Sequence, residues 1–318
     1  MTLQDAPAAP RPARRYMGLA ELPALLDFAS RSTAQRAPLS ACWHPGDIIW
    51  ALQARADQPQ PCRFWTGPDG AVAALAWFES EGEVWLETLP ASAALVPEAV
   101  AWVEHAWRRR LAAQGRNPAT PAHIRAEAHD ARRIAALEAL GYRYSGPAGV
   151  GFRLDLAGEL PEPGLPAGYT VRDSIGVDPA ARAQAHRDAW SHLEHLGIRG
   201  ESRFSTDAYL SLTRLPVYDP GLDLLAVAPD GSLVGNCVCW PDAASGVGSF
   251  EPVGVAQAHR GRRLAGAILR EAMVRLRARG HREARVGTAH FNHAAIRAYL
   301  AAGFQPGGAS HWWAKSLV

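Results

Sequence analysis

The sequence predicts an α+β protein of two tandem domains, each a mixed, mostly antiparallel central sheet flanked by helices. Three observations carry this. The stretch LDLAGELPEPGLPAGY at 154–169 holds three prolines and three glycines, and reads as a linker dividing the 318-residue chain into similar halves. The same landmarks recur in both halves at a nearly fixed distance. Each half also mixes strand hairpins with amphipathic helices rather than alternating single strands and helices.

The landmarks come in order. The turn aspartates Asp69 and Asp230, in FWTGPDGAVAALAWF and LAVAPDGSLVGNCVCW, stand 161 apart. Glu87 and Glu251, in GEVWLETL and GVGSFEPV, stand 164 apart. DARRIAALEALGY and NHAAIRAYLAAGF follow, with Asp130 and Asn292, and Gly141 and Gly303, each 162 apart. Such constancy implies a tandem duplication. In the second copy a strand (YTVRD) and helical sequence (DPAARAQAHRDAWSHLEHLG) come first, and a hairpin follows. Next come a strand, a loop and a helix on which Leu264, Ile268, Leu269, Ala272 and Leu276 recur at helical spacing. EARVGTA reads as another strand, a short helix ends at the cap residue Gly303, and SHWWAKSLV closes the copy as a strand. The expected boundaries are a flexible N-terminus over 1–15, a first domain over 16–156, a linker over 157–167 and a second domain over 168–318.

Composition excludes several classes. A net charge of +2 is too small for a protein that coats nucleic acid. No run of about 18 apolar residues suggests a membrane span, and the N-terminal MTLQDAPAAPRPARR lacks the apolar core of a secretory signal. A cytoplasmic protein is expected. Cys42, Cys62, Cys237 and Cys239 form no metal or disulfide framework and read as buried free thiols, the two in CVC facing the same side of a strand. His290/His293 and His192/His195 have a spacing that can bind metal, but no carboxylate or cysteine partner is evident, so no metal is expected. P-loop and nucleophile-elbow motifs are absent.

The stretch that points to chemistry is AHRGRRLAGAILREA, 258–272. A loop with three arginines and Gly261 runs straight into a helix. A helix start offers unpaired N–H groups and a partial positive charge, which together make an anion site. Arginines add charge-assisted bonds to phosphate oxygens.

EPVGVAQAHRGRRLAGAIL followed by NHAAIRAYLAAGF resembles the GNAT superfamily of acyl-CoA-dependent N-acyltransferases. The family loop, Arg/Gln-x-x-Gly-x-Gly/Ala, is matched at its ends by Arg260 and Ala265, with Arg263 in place of the central glycine. The later block is complete as Asn292, Tyr299, Gly303 and Phe304. The layout, a degenerate copy then an intact one, is similar to that of tandem GNAT proteins such as mycothiol synthase. The resemblance implies acetyl-CoA as cosubstrate, with its pyrophosphate at Arg260, Gly261, Arg262, Arg263, Leu264 and Ala265. The pantetheine arm would lie along the strand of Val253 and Val255, with a further contact from Asn292. It implies Glu251 as general base and Tyr299 as general acid. Plainer readings stand beside these: Glu251 as an edge or salt-bridge residue, Tyr299 as a core tyrosine with a paired hydroxyl, Asn292 as a helix cap. An arginine at 263 is expected to fit only with ordinary backbone angles.

The first copy has no Arg-Gly loop after Glu87, and carries Leu137 and Asp130 at the tyrosine and asparagine positions. It is expected not to bind CoA and to serve as a scaffold shaping the acceptor pocket. Seven of the eleven tryptophans lie in it, including Trp43 and Trp50 in CWHPGDIIW; they read as core, with an aromatic acceptor pocket as the alternative. HPGD reads as a turn. Trp190, Tyr209, Tyr218 and Asp219 are further candidates for lining that pocket. The expected function is direct acetyl transfer to a small-molecule amine by a monomer. The alternatives are a CoA-binding or structural scaffold without turnover, and a protein N-acetyltransferase.

Overall fold

The computed structural model describes residues 13–36, 43–79, 82–160 and 164–317. Most of the expected flexible N-terminus, Cys42 and part of the linker lie outside these residues.

The first copy runs β1 (Ala13–Arg15), α1 (Leu22–Arg36), α2 (Pro45–Leu52), β2 (Cys62–Thr66), β3 (Val72–Phe78), β4 (Glu83–Thr88), α3 (Val96–Ala113), β5 (Ala122–Glu127), α4 (Ala131–Ala139) and β6 (Arg143–Asp155). The second repeats that order as β7 (Thr170–Asp173), α5 (Pro179–Trp190), α6 (Thr206–Leu212), β8 (Asp223–Val227), β9 (Leu233–Asp242), β10 (Val247–Val255), α7 (Leu264–Ala278), β11 (Glu283–Ala289), α8 (His293–Ala301) and β12 (Gln305–Lys315). The duplication seen in the sequence is thus a duplication of structure, element for element.

The twelve strands of the described residues join one sheet, ordered β1-β2-β3-β4-β5-β12-β6-β11-β10-β9-β8-β7. Among the described residues only β4 with β5 and β10 with β11 pair in parallel; the other pairings are antiparallel. The two copies exchange their last strands. β5 is bordered by β12 of the second copy, and β11 by β6 of the first, while β6 and β12 pair with each other at the centre. Neither sequence copy therefore completes its own half of the sheet.

Three apolar cores follow from this. One packs α3 and α4 on the first half of the sheet, and one packs α7 and α8 on the second. The third is shared: Phe28, Ile48 and Ile49 of the first copy meet Ala183, Leu212, Val238 and Trp240 of the second. The period-2 pattern of β9 serves two of them. Cys237 and Cys239 face the α7 side, while Val238 and Trp240 face the shared core. Cys62, Cys237 and Cys239 are buried free thiols. No helix among the described residues is long and apolar enough to cross a membrane.

Candidate active site

The parallel pair β10/β11 is short. Val247–Phe250 pair with Glu283–Val286, after which β10 follows β9 to Val255 and β11 follows β6 to Ala289. The strands part, and backbone groups of β10 beyond Phe250 are left without a strand partner on that side. The β10/β9 register also shifts between Phe250 and Val253, a bulge that redirects Glu251. A cavity of about 1180 Å³ opens here and crosses the boundary between the copies. Glu251, Val253, Asn292 and Tyr299 line it from the second copy, and Trp43, Asp47, Trp85 and Arg125 from the first.

Glu251 does not meet an arginine there. Its carboxyl shares a hydrogen bond with Asp47, contributed by the other copy. Burial raises the Glu251 pKa well above the usual carboxylate range, and the adjacent Asp47 raises it further. Asp47 is itself raised to about 6, chiefly by burial, with the His44 backbone N–H opposing the shift. Two enclosed carboxyls this close hold one proton between them near neutral pH.

The pair is placed by helix α2. HPGD, expected to be a turn, is instead the start of this helix. The N–H of Gly46 donates to His44 Nδ1 (3.0 Å), the N–H of His44 donates to Asp47 (2.8 Å), and Pro45 occupies the first turn. Burial lowers the His44 pKa to about 4, so the ring is neutral, and its other nitrogen, Nε2, donates to the carbonyl of Val247 on β10 (3.3 Å). Gly46 lies so close to Trp240 that a Cβ there would come within 2.4 Å of it. The Trp240 indole in turn donates to the Glu251 carbonyl (2.6 Å). The contact between the copies thus locates Asp47 against Glu251.

Tyr299 is 6% exposed and packed against Phe152 and Phe304. Its hydroxyl has no hydrogen-bond partner among the described residues and faces the cavity, unlike a core tyrosine with a paired hydroxyl. Burial raises its pKa, with Cys237 and Glu251 adding to the shift. Asn292 caps α8, accepting from the N–H of Ala295 (3.2 Å), while its amide donates to Thr288 (3.0 Å).

The Arg260–Arg263 loop lies exposed beyond the cavity lining, leading into Leu264 and Ala265 at the start of α7. No side chain caps this helix, so its first-turn N–H groups remain available to an anion. The guanidinium of Arg260 donates to the carbonyls of Val255 (3.0 Å) and Ala189 (3.2 Å), which ties the loop to β10 and α5. Val255 continues the pairing of β10 with β9. Arg263 does not have ordinary backbone angles: its φ is 63° and ψ 14°, in the left-handed region. The helix entry imposes that conformation, and arginine bears its cost of about 1 kcal/mol. Arg263→Gly is expected to stabilise the fold by about 1 kcal/mol, seen as a rise of roughly 2 °C in melting temperature.

The first copy's equivalent cleft is reduced to a pocket of about 170 Å³, lined by Arg36, Asp130 and Arg133. Glu87, matching Glu251, pairs with Arg36 (2.7 Å) and Arg133 (3.3 Å), and Asp130 pairs with both arginines (3.2 Å each). Leu137 is fully buried where the second copy has Tyr299. The same strand position thus holds a salt-bridged glutamate in one copy and a cavity-facing one in the other.

Of the other pocket candidates, Trp190 lines the cavity, and so do Trp43 and Trp50, which also pack in the shared core. Tyr209 and Tyr218 lie elsewhere. Their hydroxyls donate to Asp223 (3.1 and 3.0 Å), the buried partner of Arg182 (2.7 Å). Asp219 pairs with Arg279 outside the cavity (2.9 Å). Sequence reasoning missed Asp47 and Arg125. Asp47 carried a signal, since His-Pro-Gly-Asp is a helix entry with the acid at its third position. No signal marked Arg125, an arginine inside a strand. Among the described residues no cluster of His, Cys, Asp and Glu forms a metal site, and the side chain of His195 lies outside the description.

Residues 189–304, which span this cleft and loop, match the acetyltransferase (GNAT) family. This segment resembles a GNAT domain. The whole chain is similar in fold to a GCN5-related N-acetyltransferase from Sphaerobacter thermophilus, with a TM-score of 0.62, 24% identity, and 96% of this chain and 95% of that one covered. It is also similar to a tandem GNAT protein from the clavulanic acid biosynthesis pathway (TM-score 0.58, 18% identity, 96% and 99% covered). A GNAT-family acetyltransferase from Colwellia psychrerythraea gives 0.54, at 12% identity with 95% and 99% covered. The tandem GNAT fold therefore extends over both copies. No curated protein matches the chain.

Proposed function

We propose that the protein is an N-acetyltransferase in which the second copy binds acetyl-CoA and transfers its acetyl group directly to a small amine in the cytoplasm. The observation that carries this is the meeting of Glu251 and Tyr299 in one cavity at the point where β10 and β11 part. The residues present fit the cosubstrate. The uncapped start of α7 and the exposed Arg262 suit a pyrophosphate, and the unpaired edge of β10 suits the amide groups of a pantetheine arm. When bound, acetyl-CoA supplies a thioester carbon open to attack.

An amine attacks only as the free base. The Asp47–Glu251 pair, which holds one proton and has room for a second, takes up a proton from the acceptor ammonium through Glu251 and leaves the amine lone pair free. Tyr299, whose hydroxyl faces the cavity, gives its proton to the departing sulfur and regains one from the nitrogen, which sheds its second proton as the amide forms.

Acetyl-CoA titration by calorimetry is expected to give one site per chain, weakened by Gly261→Val. That variant forces a β-branched residue onto a backbone with φ of 75°. A stoichiometry of two would place CoA in the first copy as well. Absence of binding would leave a scaffold without turnover as the better reading.

A further inference from the structure

Arg125 is a charged residue of the cavity that the transfer chemistry leaves unused. It stands on β5 at the last paired position before β4 and β5 part. Its Nε–H donates to Ser310 Oγ on β12 (2.7 Å), and its guanidinium lies 3.8 Å from the centre of the Trp85 ring. Gly149 on β6 makes room for it, since a Cβ there would stand 2.7 Å from Nη2. Four strands from both copies thus fix the group in place. Its two terminal nitrogens have no partner among the described residues and are not sealed from the cavity. No described carboxylate forms a salt bridge with it.

A rigid guanidinium with its outer edge open is a fork for a planar, singly charged anion. Glu127 on the same strand, then Glu79, Asp47 and Glu251, lie near enough for their charges to act on Arg125. That acidic setting repels a dianionic phosphate more strongly than a singly charged carboxylate. Acceptor proton transfer takes place at the Asp47–Glu251 pair in the same cavity. We infer that the acceptor is an amine that also bears a carboxylate, an amino acid or a short conjugate of one. Its carboxylate is held by Arg125 of the first copy, and its amine lies at Asp47 and Glu251. This inference rests on the acetyl-transfer reading. It gives the degenerate copy a defined task, recognition of the acceptor, while the intact copy binds the acetyl donor.

The test uses the full-length protein with acetyl-CoA and thiol release as the readout. Three sets of acceptors are compared: the common amino acids with selected dipeptides, the same amines lacking the carboxylate, and phosphoethanolamine as an aminophosphate. Turnover confined to the carboxylated set is expected. Arg125→Gln is expected to raise KM for those acceptors by at least about 30-fold while KM for acetyl-CoA stays within about twofold. Gly149→Ala, which displaces the guanidinium without removing it, should raise acceptor KM by a smaller factor, so the inference stays testable if Arg125→Gln folds poorly. Equal or better turnover of the decarboxylated amines, or of the aminophosphate, would overturn the inference and leave acetyl transfer standing. Turnover of none, with acetyl-CoA bound, would strike the transfer reading instead. The carboxylate site is then judged by calorimetric binding of N-acetyl amino acids, and a lack of Arg125-dependent binding overturns it.

Discussion

Glu251→Gln is expected to lower kcat by roughly 10²–10⁴-fold, the usual contribution of a positioned base, with little change in acetyl-CoA affinity. The amide cannot accept the proton that the acceptor must lose. A stability role alone would leave kcat intact, so full turnover by the variant would remove Glu251 from the mechanism. The pH profile gives a second reading. The neighbouring Asp47 raises the Glu251 pKa, so Asp47→Asn should lower it and move the acidic limb of kcat to lower pH. A limb that stays in place would mean that the two carboxyls do not share their proton in the working enzyme. Glu79 and Arg125, which also act on this pair, are unchanged in both variants.

Asp223→Asn is expected to destabilise the protein by about 3–5 kcal/mol, measured as a shift in urea midpoint at constant slope. Asp223 is fully buried and gathers the Arg182 guanidinium and the hydroxyls of Tyr209 and Tyr218. The amide leaves the buried arginine without a counter-charge, a large loss against a total stability of about 5–15 kcal/mol. Replacing both charges together, as Arg182→Met with Asp223→Leu, should cost much less, because no charge is then left buried alone. The effect should reach the site. The Tyr218 ring lies 6.3 Å from that of Trp240, whose indole holds the Glu251 carbonyl.

Much of this architecture was legible in the chain because duplication prints the same periodicity twice. Strand alternation, the cap at Gly303 and the anion-binding loop are local patterns, and local patterns survive in sequence. The exchange of β6 and β12 left no such trace, because which strand a neighbour pairs with depends on register across the whole sheet rather than on composition. The site divides in the same way. Glu251, Tyr299 and Asn292 stand within or beside recognisable motifs, whereas Asp47 reaches the cavity through a contact between copies. Tyr209, Tyr218 and Asp219 had suitable chemistry, but their polar groups were already engaged with buried or surface arginines. Arg263 departs from the expected angles because the helix entry dictates the backbone and the side chain must follow.

The strand exchange also sets the order in which the chain can mature. During synthesis β5 emerges nearly two hundred residues before its partner β12, so the first half of the sheet keeps an open edge until β12 has been made. β6, made early, waits in turn for β11. Such distant pairings delay closure and leave strand edges exposed to other chains. The two copies cannot mature one after the other, as independent domains do, so the insertion of β12 is the step that joins the two halves of the sheet.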